Sequence, residues 1–140
     1  MTTETENAFL TSIGPGTPTG ALRRQYRIPT CLSAELAADG DPLRLVLLGE
    51  RPLTCRDSVG KISIFDHRCP SMPRYPSAAT RRVGCAYHRG KFDTEGNFLD
   101  TPDVPGAHDV AQHVKARAYK AAKRNGVIWS ARRRRRWSPF

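Results

Sequence analysis

Acidic residues are missing from the last part of this sequence. No Asp or Glu follows Asp109, while ten basic residues do: Lys115, Arg117, Lys120, Lys123, Arg124 and the run Arg132 to Arg136. The net charge of +10 therefore belongs to that end, since the other 13 Lys and Arg are balanced by all 13 Asp and Glu. An arginine run is able to hold nucleic acid through its phosphates. No nucleic-acid fold and no stacking set beyond Trp137 accompanies it, so nucleic-acid binding is not expected and residues 131–140 read as a basic, disordered tail. Long apolar runs are also missing. None approaches the roughly 18 residues of a membrane-spanning helix, which leaves no expected membrane segment. A secretory leader is not seen either, because "MTTETENAFL" is acidic and polar, and the expected location is the cytoplasm. Cysteine is scarce, with only Cys31, Cys55, Cys69 and Cys85. Thiols in a reducing compartment stay free, so metal binding outranks disulfide formation for any well-placed pair.

What remains reads as one small, mostly β domain over residues 17–130, preceded by a flexible polar arm at 1–16. Thr17 is a helix N-cap with Pro18 at the first helical position. Pro29 is expected to end that helix, and Ser33 to cap a short turn, "SAEL". A three-stranded meander follows. "LRLVLL" gives one strand, "PLTCRD" a second and "KISIFD" a third, with turns at "GE" and "SVG". "KFDTEGNFLD" reads as a hairpin around Glu95-Gly96. "HVKARAYKAAKRNGVIWS" reads as two strands joined at Asn125-Gly126, the strongest two-residue hairpin signal. Short strands with tight turns predict a small antiparallel barrel or sandwich with short N-terminal helices.

Residues 67–93, "HRCPSMPRYPSAATRRVGCAYHRGKFD", hold the chemistry. Cys85 and His88 are two residues apart, a spacing that lets a thiolate and an imidazole converge from one loop. Cys69 offers a second thiolate from another loop. On the residues alone, zinc and an iron–sulfur cluster stand level. His67 is a weak substitute donor, because it precedes Cys69 and would reach the metal from the wrong end of the loop. Cys31 and Cys55 read as half-buried fillers, His108 and His113 as surface residues, and Tyr87 as a packing residue.

In order along residues 11–130, "GPGTPTGALRRQYRIP", "SAELAADGDPLRLVLLGERPLTCRDSVGKISIFDHRCP", "CAYHRGKFDTEGNFLDTPDVPG" and "KARAYKAAKRNGVIW" resemble the N-terminal Rieske domain of bacterial ring-hydroxylating oxygenase large subunits, near the phthalate-dioxygenase type. That family pairs Cys-x-His with Cys-x-x-His around a [2Fe-2S] cluster. The resemblance implies that Cys69 and Cys85 hold one iron and His88 the other. Ser71 stands where the fourth ligand, a second His, belongs. It also implies a reductase or ferredoxin as electron donor, a separate catalytic domain with a 2-His-1-carboxylate iron, and a homotrimer in the full-length ancestor. No catalytic residue of that second domain is recognised here. The sequence departs from the family in a short loop between the two Cys and in Arg89-Gly90, where the family carries Gly-Trp before Lys91, Phe92 and Asp93.

The departures have a shared reading. Under one choice of codons, Met72 to Cys85 read two nucleotides later gives Ala-Ala-Leu-Pro-Phe-Gly-Arg-Asn-Glu-Glu-Gly-Gly-Leu, close to the family's sequence in this loop. Two letters of each displaced codon are the first two of a read codon, which the amino acid largely fixes, so the freedom in that choice is limited. Residues 71–84, and the tail 131–140, are thus expected to be family sequence read out of register. The coding DNA checks this: actual codons that yield no family-like sequence in another frame would sink it.

Overall fold

The computed structural model describes residues 2–67, 76–77, 83–85, 91–100 and 114–132. Two short helices come first. In α1 (Glu4–Thr11), the Thr3 side chain accepts from the Glu6 N–H while the Glu6 carboxylate accepts from the Thr3 N–H, a reciprocal cap. The segment read as a loose arm therefore contains a helix, although α1 buries no residue. Thr17 caps α2 (Pro18–Arg23), with Pro18 in the first turn as expected.

Helix α2 ends six residues before Pro29, which lies inside strand β1 (Arg27–Leu32). This corrects the reading of Pro29 as a helix terminator. Strand β1 is the edge of its sheet, where a residue without an N–H costs no central ladder bond, and the register shifts between Pro29 and Cys31. A single 3-10 turn follows at Ser33–Glu35.

The meander forms as β2 (Leu43–Arg44), β3 (Pro52–Arg56) and β4 (Ile62–Asp66). Its first strand is much shorter than the apolar run "LRLVLL". Val46 is 75% exposed, and the chain reverses through Leu48 and Gly49, both at positive φ. Arg24 fixes this turn by donating to the Leu48 carbonyl at 2.7 Å and, more weakly, to the Ile13 and Gly14 carbonyls.

Four strands make a second sheet in the order β5 (Pro76–Ser77), β6 (Val83–Cys85), β7 (Lys91–Phe92), β8 (Phe98–Asp100). The hairpin β9 (Ala118–Arg124) and β10 (Val127–Ala131) then completes the six-stranded sheet β1-β10-β9-β4-β3-β2. Asn125 and Gly126, both at positive φ, form its two-residue turn. All named strand pairs are antiparallel.

Strand β4 is buried on both faces, and its neighbouring residues feed different clusters. Ile64 packs with Leu36, Tyr119 and Ile128. Phe65 packs with Phe92 and Ala116, and Phe92 meets Phe98 edge to face at 5.6 Å. Burial of each such side chain stabilises the fold by about 1.5–3 kcal/mol.

The β7–β8 hairpin turns on Asp93. Its carboxylate accepts from the Glu95 and Asn97 N–H groups and from the Asn97 side chain. Partial burial by itself would raise this carboxyl, but those hydrogen bonds outweigh it and hold it below its ordinary range. Gly96, at φ +84°, closes the turn, and its carbonyl accepts from the Ala116 N–H at 2.8 Å. A β-carbon at Gly96 would land on the Ala116 carbonyl oxygen. Gly96→Ala should therefore cost more than about 2 kcal/mol in urea unfolding, whereas Gly60→Ala, equally positive in φ but in open space, should cost less.

Candidate metal centre

Cys85 ends strand β6, which lies between β5 and β7. In the antiparallel β5–β6 pair its Cα partner is Pro76, the first residue of β5. The chain thus enters β5 and leaves β6 at the same end of the small sheet. The segment entering β5 carries Cys69 and Ser71 in sequence, and the one leaving β6 carries His88. Cys69, Ser71 and His88, like Tyr87, His108, His113 and Trp137, lie outside the described residues, as does the tail from 133 onward. Among the described residues no three His, Cys, Asp or Glu converge to hold a metal ion.

His67 terminates β4. Its N–H donates to the Arg51 carbonyl at 3.2 Å, and its Nδ1 lies 3.2 Å from the Asp66 carboxylate. This is the setting of a strand-end histidine held by its neighbour.

The remaining cysteines are free thiols outside this region. Cys31, on β1, leans on the Ile64 cluster, and burial raises its pKa. Cys55, on β3 opposite Ser63, leans on the Phe65 cluster. Burial, reinforced by the charge of Asp57 and only partly offset by a hydrogen bond with Ser63, pushes its thiol up to about 12. Thiolate chemistry needs the ionised form, so Cys55 is inert at neutral pH.

A second cluster of charge was not expected from the sequence. Arg132, read as the start of a solvated tail, has a side chain only 3% exposed. Its guanidinium carbon sits 4.1 Å over the Tyr119 ring, and its Nη1 lies 2.8 Å from Glu50 Oε2, at an orientation short of a hydrogen bond. Arg24 approaches the other Glu50 oxygen at 3.8 Å. Strand parity was the available signal: Ile128 and Ser130 are wholly buried, and Arg132 is the next residue on that face. Burial pushes the Tyr119 phenol up against the opposing pull of Arg132.

Comparison with known proteins agrees with this geometry. Residues 26–120 match the Rieske [2Fe-2S] domain family. The chain is 37% identical over 130 residues to the 3-chlorobenzoate-3,4-dioxygenase oxygenase subunit of Comamonas testosteroni, covering 89% of this chain and 29% of that protein. It is 32% identical over 134 residues to the phthalate 4,5-dioxygenase oxygenase subunit of Pseudomonas putida, covering 93% and 30%. Thus the chain spans under a third of the length of these relatives. In fold it is similar to the terminal oxygenase of carbazole 1,9a-dioxygenase from Nocardioides aromaticivorans IC177, with a TM-score of 0.69 at 22% identity over 83% of this chain and 32% of that one.

The Cys55 shift has a consequence for stability. A raised folded-state pKa means the fold prefers the neutral thiol. Its contribution is complete below the ordinary value of 9.0 and is lost as pH rises toward about 12. Between those limits the wild-type protein should lose stability that Cys55→Val keeps, as read by denaturant midpoints at pH 8 and pH 11.

Proposed function

Because the chain belongs to the Rieske [2Fe-2S] domain family, we propose that it is the electron-transfer domain of an aromatic-ring-hydroxylating oxygenase subunit, with one of its four cluster ligands replaced. The observation that supports this best is the Pro76–Cys85 pairing, because it brings out at one end of the small sheet the two segments whose sequences carry the donors. Cys69 and Cys85 are assigned to one iron and His88 to the other. Such a cluster, when bound, supplies single-electron transfer, with potentials of roughly −150 to +300 mV for its kind.

The donor set as written does not fit a complete centre. Ser71 occupies the place of the second imidazole, and a serine hydroxyl is far less basic than a neutral imidazole nitrogen. The displaced reading frame accounts for this substitution too. Methionine has a single codon, so the displaced codon that spans Ser71 and Met72 is the last letter of the Ser71 codon followed by AT. A Ser71 codon ending in C makes it CAT, a histidine, and restores Cys-x-His directly after Pro70. The gene is predicted to carry that C; any other last letter removes this part of the reading.

The partners that follow from the proposal are a reductase or ferredoxin as electron donor and a catalytic oxygenase domain bearing the mononuclear iron. The assembly is a homotrimer and the location the cytoplasm. Among the described residues no helix is long and apolar enough to cross a membrane.

Anaerobic reconstitution with iron and sulfide tests the redox reading through absorption near 450 nm (on the order of the bands of such clusters) and labile-sulfide assay. The wild-type chain should hold substoichiometric cluster, and Ser71→His should raise it without filling the site, because the loop remains short. A colourless, iron-free protein in both forms overturns the proposal, and zinc retained by that protein would mark a three-donor zinc site instead. Full occupancy in Ser71→His would show that loop length is unimportant.

A further inference from the structure

A groove of about 590 Å³ opens between the start of β4, the β7–β8 turn and the β9–β10 hairpin. Its size lies within the range of small-molecule sites. Three exposed lysines, Lys61, Lys115 and Lys120, stand on its lining, against the single carboxylate of Glu95. Between them the lining is apolar, from Ile62, Ala118 and Ala121. Behind it stand two polar groups closed to solvent. The Tyr119 hydroxyl has no hydrogen-bond partner, and the Arg132 guanidinium is held at the Tyr119 ring beside Glu50. A buried cation behind a low-dielectric wall raises the potential in a cleft more than the same charge in water.

Cations at the rim with an apolar wall between them match a ligand that has a negative end and a flat apolar body. We propose that this groove binds a small aromatic carboxylate, its ring against Ile62, Ala118 and Ala121 and its carboxylate between Lys115 and Lys120. Inorganic phosphate would satisfy the lysines but not the wall; benzyl alcohol would satisfy the wall but not the lysines. The site uses none of the proposed cluster ligands, and it stands or falls independently of them.

Backbone amide spectra of the full chain, titrated at constant ionic strength with benzoate, phosphate or benzyl alcohol, test the proposal. Benzoate is expected to give saturable shifts confined to the Ile62, Ala118 and Ala121 region, with both controls weaker. The double variant Lys115→Gln/Lys120→Gln should weaken benzoate binding roughly tenfold, as expected for loss of a charge-assisted contact. Lys61→Gln offers a second variant on an exposed side chain, and the amide signals away from the groove report whether either still folds. A variant with Arg133 to Arg136 changed to Gln should bind as the wild type. The proposal is overturned by an equal response to phosphate, by benzoate shifts that do not saturate, or by loss of binding in the Arg133–Arg136 variant.

Discussion

The pairing of β4 with β9 is the constraint on which the rest of the molecule depends. Two Cα pairs make it, Ile64 with Tyr119 and Phe65 with Ala118, extended by the Asp66 N–H donating to the Arg117 carbonyl at 2.9 Å. These contacts join the meander to the C-terminal hairpin and close a single six-stranded sheet. Both hydrophobic clusters pass through them, because Ile64 and Phe65 face opposite ways and Tyr119 and Ala118 meet them on the same two sides. Everything between Asp66 and Arg117, including every assigned ligand, is an excursion from that junction. The entropy of closing a loop rises only with the logarithm of its length. A long excursion is therefore tolerated when its ends are locked as firmly as these are.

A second contact registers the excursion against the junction. The Ala116 N–H donates to the Gly96 carbonyl, and Asn97 bridges to Lys115, so the β7–β8 hairpin is tied to the residues leading into β9. Phe92 and Phe98 then reach the Phe65 cluster from the small sheet. Through β7 this fixes β6, and through β6 it fixes the position of Cys85. The end of the sheet that carries the proposed centre thus takes its place from packing contacts rather than from any metal.

Local chemistry was the readable part of the sequence. Asn125-Gly126, Glu95-Gly96 and Thr17-Pro18 each do what their backbone preferences dictate. The misreadings came where tertiary context decides. Pro29 reads as a breaker unless its strand is known to be an edge, which depends on β10 pairing from the far end of the chain. "LRLVLL" has the composition of a strand, but Leu48 is buried by reversing direction rather than by continuing. Arg132 looks like tail because charge usually signals solvent; the inward parity of β10 carries it against Tyr119 and Glu50 instead. For the centre, the sequence names Cys69, Ser71, Cys85 and His88, and the structure adds the register that sends their two segments out from one end.

That division explains how a chain can keep a family's fold while lacking one of its ligands. The two clusters are built from Leu36, Ile64, Phe65, Phe92, Ala116, Tyr119 and Ile128, none of them within residues 68–90. Replacing the sequence between Cys69 and Cys85 leaves each of those contacts in place, so the core imposes little selection on that stretch. Ligation is less tolerant, because it needs particular deprotonated or neutral donors at fixed positions, and metal binding couples to the ordering of the segments that supply them. A register error inside the loop would thus cost the cluster long before it cost the fold. The family resemblance of the strands and the irregularity of the donor set are, on this argument, two independent records written in different parts of one chain.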